Sequence, residues 1–304
     1  MGRNGLTGLG RSARIAACQK PRGSHGAALS PSIWSSIGAA VECDTAVNAI
    51  HWAPDPVMLV LGQREFTWYA LLFVSGLLGA YGIAARTMMA EGIDIVYVNV
   101  LLIFVALGVV IGARLGEVVF YQWSYYRAHP REILNIWHGG LASHGAAIGI
   151  ASVLWLYARL VVRKPFFWVA DRAVIGIAFA AACVRFGNLA NSEILGKPTS
   201  VPWAVVFDRV DSVPRHPVQV YEGLWYIALC LALLLARQRW APPQGVLSGL
   251  FLVGMFVPRF FLELTKEGPL VFAGMNTGQV LSVPLVIAGA LLLGRSGWWT
   301  RREI

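Results

Sequence analysis

The chain has 304 residues, 57% of them hydrophobic and only 13% charged, with a mean hydropathy of +0.60. Soluble domains carry about 25% charged residues, so half the usual charge is missing and lipid is the expected solvent. The formal net charge is +9 and the pI about 9.7, but the basic residues fall in short clusters between apolar runs, a pattern that sets membrane topology and speaks against nucleic acid as a partner.

Residues 1–46 differ from the rest, being rich in Gly, Ser, Ala and Arg with no apolar run long enough to span a bilayer. They lack the apolar core of a secretory signal and are read as a disordered basic tail or an upstream start-site artefact, with Val47 a candidate start. Residues 47–304 are read as one transmembrane catalytic domain. Seven apolar segments follow, each near the roughly 20 residues needed to cross hydrocarbon: about 66–85, 96–121, 141–162, 173–189, 220–236, 246–264 and 277–294. The fold class is therefore an all-α polytopic membrane protein with a small polar region on one face.

Assigning alternate loops to one side collects Arg86, Arg159, Arg163, Lys164, Arg172, Arg237, Arg239, Arg295, Arg301 and Arg302. By the positive-inside rule that side is cytoplasmic, which places the N-terminus outside and the C-terminus inside. Gly108, Gly112 and Gly116 repeat every four residues, as do Gly145 and Gly149, a spacing that lets helix backbones approach closely in lipid. Of the four cysteines, Cys183 and Cys230 lie in apolar segments; no CxxC or His/Cys ligand spacing occurs, so no metal or other cofactor is implied.

Charges within or beside apolar spans are costly and mark function by default. Arg185 closes an apolar run and opens RFGNLANSEILGKP, which puts Asn188, Asn191, Ser192 and Glu193 at the mouth of the fourth span. Arg259 lies in GMFVPRFFLELTKE, one turn before Glu263 and next to Pro258, which should kink that span. Each arginine alone could be internally paired; two on different spans near one face fit a shared anion, and the guanidinium fork matches phosphate. Arg114 is a weaker candidate, because Glu117 at i,i+3 offers it an internal pair. His144 opens the third span and can take a proton near neutral pH, while His138 reads as a loop residue. Tyr69 sits at the outer end of the first span, where aromatics commonly form an interfacial belt. In RHPVQVYEGLW, the residues His216, Gln219, Tyr221 and Glu222 make a second polar rim at the same face.

In order along nearly all of the chain after residue 46 run Trp68–Tyr69, GARLGEVVFY at 112–121, GGLASHGAAIG at 139–149, RFGNLANSEILGKPT at 185–199, RHPVQVYE at 215–222, RFFLE at 259–263 and TGQVLSVP at 277–284. Together they closely resemble the bacterial prolipoprotein diacylglyceryl transferase family. The resemblance implies an inner-membrane enzyme that moves the diacylglyceryl group of phosphatidylglycerol onto the lipobox cysteine of a preprolipoprotein, forming a thioether and releasing glycerol phosphate. It implies headgroup binding by Arg185, a second essential arginine in Arg259, a key histidine in His144, and functional positions at Tyr69, Asn188, Glu193 and Gly196. Glu263 and Arg114 complete the candidate lipid-binding set. This chain departs from the family pattern at Met255, where a tyrosine is usual, at Ala146 (HGA for HGG) and at Ser192 (NSE for NGE).

The implied partners are phosphatidylglycerol, lipobox peptides and membrane lipids. A thiol with a pKa near ~8.5 gains from a nearby base, and a phosphate leaving group gains from two arginines. A transporter would instead predict inverted repeats with broken helices, and none is visible; a non-catalytic lipid-binding protein would bind lipid without turnover.

Overall fold

The computed structural model describes residues 49–135, 142–268 and 270–296. The segment 1–46, Val47, His138 and Arg301–Arg302 lie outside the described residues. Those described divide into two compact units, the smaller formed by 49–53 with 196–216 and the larger by those within 54–195 and 217–296.

In the larger unit a hairpin of β2 (Val57–Leu61) and β3 (Arg64–Thr67) leads into α1 (Trp68–Met89). Thr67 caps α1 by accepting from the Ala70 N–H at 3.1 Å, and Asp94 caps α2 (Ile95–Phe120) by accepting from Val96 at 2.8 Å. A short α3 (Trp123–Ala128) and a 3-10 turn (Pro130–Leu134) precede α4 (Ser143–Leu160) and α5 (Phe166–Ala190). Then come α6 (Val218–Trp240), α7 (Val246–Leu262), a β6–β7 hairpin (Leu270–Phe272, Met275–Asn276) and α8 (Thr277–Arg295).

Six helices among the described residues are long and apolar enough to cross a membrane: α1, α2, α5, α6, α7 with its 3-10 extension to Thr265, and α8. The seventh expected span is α4, which does not reach that standard. Its 18 residues rise about 27 Å against a hydrocarbon core of about 30 Å, and His144, Gly145, Gly149, Ser152 and Arg159 dilute its apolar content. Instead α4 lies directly against α2. A Cβ on Gly112 would stand 2.4 Å from the Gly145 carbonyl oxygen, and one on Gly149 would stand 2.1 Å from that of Gly108. The two four-residue glycine repeats thus form one seam at backbone contact, as their spacing predicts.

A second packing centre joins α5, α6 and α7 through Ile175, Ala178, Tyr226, Leu229, Cys230, Leu233, Phe251 and Met255, and Cys183 is buried as well. Helix α7 runs through Pro258, which leaves the carbonyl of Gly254 without its usual i+4 donor. Trp225 of α6 fills the gap, its indole Nε1–H donating to that oxygen at 2.7 Å. At the other end of α7 the free N–H groups are met by Asp171 of α5. Its carboxylate accepts from Gly245 N (2.7 Å), Ser248 N (2.8 Å) and Ser248 Oγ (2.6 Å). Nearby, Glu91 in the α1–α2 loop binds both Arg172 of α5 and Arg237 of α6. These two arginines read in the sequence as topology-setting charges; in the structure they also tie three elements together.

In the smaller unit β1 (Ile50–Trp52) pairs in parallel with the buried β4 (Val205–Phe207), which pairs antiparallel with β5 (Pro214–Arg215). Arg215 is buried, and donates to Asp211 at 2.6 Å and to the Gly196 carbonyl at 3.2 Å. Burial works against the Asp211 charge, but hydrogen bonds from Arg215 and Val213 outweigh it and hold this carboxyl below the usual carboxylate range.

Candidate active site

Helix direction alternates along the larger unit, so the N-terminal ends of α1, α6 and α8 share a face with the C-terminal ends of α5 and α7. Arg185, in the last turns of α5, directs Nε at Glu222 Oε2 (2.9 Å) and donates from Nη1 to Asn188 Oδ1 (3.3 Å). Glu222, fully buried in the first turns of α6, accepts from Lys266 Nζ on its other oxygen at 2.8 Å. Lys266 also donates to Glu263 Oε1 at 2.8 Å, and that same oxygen lies 3.5 Å from Arg259 Nη2. The result is one chain of alternating charge, Arg185–Glu222–Lys266–Glu263–Arg259.

The three inner members are nearly dry, whereas the terminal arginines keep 14% and 26% of their side chains accessible. A buried ion pair is favourable only when its remaining valences are filled, and at Glu263 they are. Asn276 donates from Nδ2 to the Glu263 carboxylate and main-chain carbonyl, each at 3.1 Å. Asn276 is itself fixed by a reciprocal capping box with Gln279 at the start of α8. The intervening Gly278 leaves room for the carboxylate, since a Cβ there would lie 2.4 Å from Glu263 Cδ. This accounts physically for the TGQ block that begins at Thr277.

The turn after α5 carries the remaining polar groups. Ser192 and Ile194 adopt left-handed φ values of 55° and 57°, folding Glu193 back so that Asn188 Nδ2 (3.0 Å) and Asn191 Nδ2 (3.1 Å) donate to its carboxylate. Gln219 of α6 is wholly buried and pins the turn by donating to the Glu193 carbonyl at 2.6 Å. Tyr69 packs its ring onto Gly187, where a Cβ would approach it to 2.8 Å, and its phenol lies within the electrostatic reach of Glu193 and Arg185. His144, opening α4, places Nδ1 3.3 Å from the Tyr121 hydroxyl and feels the charge of Arg259.

Of the candidate residues, Arg185, Arg259, Asn188, Glu193, Glu263, Tyr69 and His144 thus lie at one end of the larger unit. Gly196 belongs to the smaller unit, as does His216 of the expected second rim. Arg114 donates to the carbonyls of Ile133 (2.9 Å), Glu132 (2.6 Å) and Asn135 (2.8 Å) and lies over the Tyr126 ring, so it fixes the 3-10 turn; Glu117 accepts from Gln122. Sequence reading passed over Lys266, Asn276 and Tyr226. The buried Tyr226 phenol sits against Arg259 and within reach of Glu222 and Arg185. Spacing was the available signal: Gln219, Glu222 and Tyr226 share one face of α6, and Glu263 and Lys266 stand at i,i+3. Among the described residues no three His, Cys, Asp or Glu side chains form a metal-binding group.

Six apolar helices carrying a buried, hydrogen-bonded charge network at one end define a multi-pass membrane protein with a polar site at the membrane face. The family profile described as prolipoprotein diacylglyceryl transferase matches residues 56–295. A phosphatidylglycerol–prolipoprotein diacylglyceryl transferase of Tolumonas auensis is 42% identical over 248 residues, covering 80% of this chain and 96% of its own length. Proteins of the same name from Porphyromonas gingivalis and Chloroherpeton thalassium are 41% and 40% identical, covering 81% of this chain and 94% of their own. The chain belongs to the prolipoprotein diacylglyceryl transferase family.

Proposed function

We propose that the protein transfers the diacylglyceryl group of phosphatidylglycerol to the lipobox cysteine of a preprolipoprotein, at the outer face of a bacterial inner membrane. The thiol sulfur attacks the glyceryl carbon that bears the phosphate, the carbon–oxygen bond breaks, and glycerol phosphate leaves with the bonding pair. The observation that carries this reading is the five-membered charge network. It holds three cations and two anions, one positive charge in excess, with its two partly open members both arginines. A phosphodiester brings the single negative charge that balances it.

In this reading the N–H groups of Arg185 and Arg259 not engaged by Glu222, Asn188 or Glu263 form the phosphate clamp, already positioned before charge develops on the leaving group. Asn188 and Glu193 orient Arg185 and the lipid glycerol; Tyr69 closes the lateral wall. If His144 donates Nδ1–H to the Tyr121 oxygen, its Nε2 keeps a lone pair and serves as the thiol base. Arg114 acts by fixing the 130–135 segment, and Gly196 through the backbone of the smaller unit. The basic loop set supports an outer-side site, with the N-terminus outside and the C-terminus inside.

The test is incubation of purified protein with a lipobox peptide and phosphatidylglycerol, phosphatidylethanolamine or phosphatidylcholine, followed by mass measurement of the peptide. The expected result is a diacylglyceryl adduct on the cysteine with the anionic donor only. Binding of phosphatidylglycerol without an adduct would make the protein a lipid binder; equal use of the zwitterionic donors would remove the charge argument.

A further inference from the structure

Two short hairpins lead into spanning helices on the face that carries the arginine site, β2–β3 into α1 and β6–β7 into α8. Side chains alternate between the two faces of a strand. A ribbon packed on protein therefore buries every other residue, and a ribbon in water carries polar groups on its open face. Strand β6 does neither. Leu270, Val271 and Phe272 are 72%, 62% and 67% exposed, so both faces are uncovered and both are apolar. Strand β2 repeats the pattern: Leu59, Val60 and Leu61 are all exposed, as is Phe66 of β3 across from Leu59.

What covers these faces is set by what adjoins them. Strand β7 ends at Asn276, the cap of α8, and no charged residue occurs from Gly268 to Gly294, so the β6–β7 ribbon belongs to the same uncharged stretch as the span. Helix α8 exposes Ile287 and Leu291 along its length, where lipid is the solvent. An exposed apolar surface that continues past the end of a span marks further contact with the membrane. Depth is limited from the other direction. Each hairpin is a two-stranded sheet whose outer edges keep open N–H and C=O groups, and hydrocarbon does not tolerate such edges. Arg64, Glu65 and Glu267, all exposed beside the ribbons, likewise call for headgroups or water.

We infer that both hairpins are interfacial ribbons, seated at the headgroup–acyl boundary of the leaflet that the arginine site faces, with phospholipid as the partner of their apolar faces. Seated there, β7 holds the site at headgroup depth, because its Asn276 donates to the Glu263 carboxylate. The inference is independent of the proposed reaction. It is tested with a nitroxide on a cysteine placed at Val60, Val271 or Phe272, one at a time, in the full chain with Cys18 and Cys43 replaced by serine. Cys183 and Cys230 are buried and stay. The three labelled positions are exposed, so packing is not at stake, and size-exclusion chromatography checks the fold. The protein is placed in vesicles of phosphatidylcholine and phosphatidylglycerol. Collision rates are measured with oxygen, which concentrates in lipid, and with a water-soluble nickel chelate. A label at Gln244, exposed between α6 and α7, sets the water value, and one at Leu107, exposed midway along α2, sets the hydrocarbon value.

The expected result is a depth of roughly 5–10 Å at all three positions, with nickel collisions several-fold below those at Gln244, oxygen collisions above them, and no change when a lipobox peptide is added. Rates equal to those at Gln244 would put the ribbons in water and overturn the inference. So would a depth matching Leu107, which would sink them in hydrocarbon. Protein cover lowers both collision rates together. That outcome, in the resting protein or only with the peptide present, would give the apolar faces to a second copy, a terminal segment of the chain or the peptide, and would equally overturn it.

Discussion

Ser192 shows at the level of one residue how a departure from a family pattern acquires a physical meaning. The usual glycine of NGE is serine here, and the position takes φ 55°, in the left-handed region where a side chain crowds the backbone. Ser192 is buried as well, with its hydroxyl unpaired among the described residues. Ser192→Gly should therefore stabilise the protein by about 1 kcal/mol, read as a higher melting temperature with transfer activity retained. A lower melting temperature would mean that the hydroxyl has a partner which matters. Met255 is a second departure. It is packed in the α5–α6–α7 core, while a phenol that interacts with Arg259 comes from Tyr226 on the neighbouring helix. If that phenol supports the arginine in place of the missing tyrosine, Tyr226→Phe should lower turnover about tenfold while leaving folded yield intact. Turnover equal to wild type would assign Tyr226 to packing alone.

At the scale of elements, the glycine seam gives the plainest prediction. Gly112→Leu puts a branched side chain where even a Cβ stands 2.4 Å from a backbone oxygen, so α2 and α4 must separate and most folded protein should be lost. Gly82 of α1, with open space around its Cβ position, is the control: Gly82→Leu should leave yield unchanged. Comparable yields for the two variants in size-exclusion chromatography would contradict the seam. The seam was legible because its spacing is local, and so were five of the six spanning helices to within a few residues at most ends. Helix α5 begins at Phe166 rather than near 173, because its first turns carry Asp171 and Arg172, whose partners lie at the start of α7 and in the α1–α2 loop. Local hydropathy cannot register partners that distant. The short strands were missed for a related reason: pieces of two to five residues leave no period to detect.

At the scale of the molecule, the charge network was half legible. Arg185 and Arg259 stood out because each violates the apolar pattern around it. Lys266 did not, since a lysine just beyond a span resembles any loop charge; only the fold brings it between Glu222 and Glu263. The Glu91 bridge at the far end has a pH consequence. Burial works against the Glu91 charge, but Arg237 and Arg172 outweigh it and hold its carboxyl below the usual range. A depressed folded-state value stabilises above the unfolded value and loses that contribution as pH falls through the folded one. Glu91→Gln should therefore melt ~2–4 °C below wild type at neutral pH, and the two curves should converge in acid. A constant offset across pH would exclude the ionised bridge as the cause.

Under the proposed function two arginines, aligned by buried carboxylates and one lysine, grip a phosphodiester. The most direct test of that grip is turnover per mole of folded, membrane-inserted protein for wild type, Arg185→Lys and Arg185→Ala, with phosphatidylglycerol first saturating and then limiting. An ammonium is a point charge that cannot hold Glu222, Asn188 and two phosphate oxygens at once. Both variants should therefore lose ~3 kcal/mol or more of transition-state stabilisation, roughly a hundredfold in rate, at near-normal folded yield. Near-wild-type turnover by Arg185→Lys, with Arg185→Ala merely misfolding, would remove Arg185 from the phosphate clamp and make it an internally paired structural charge.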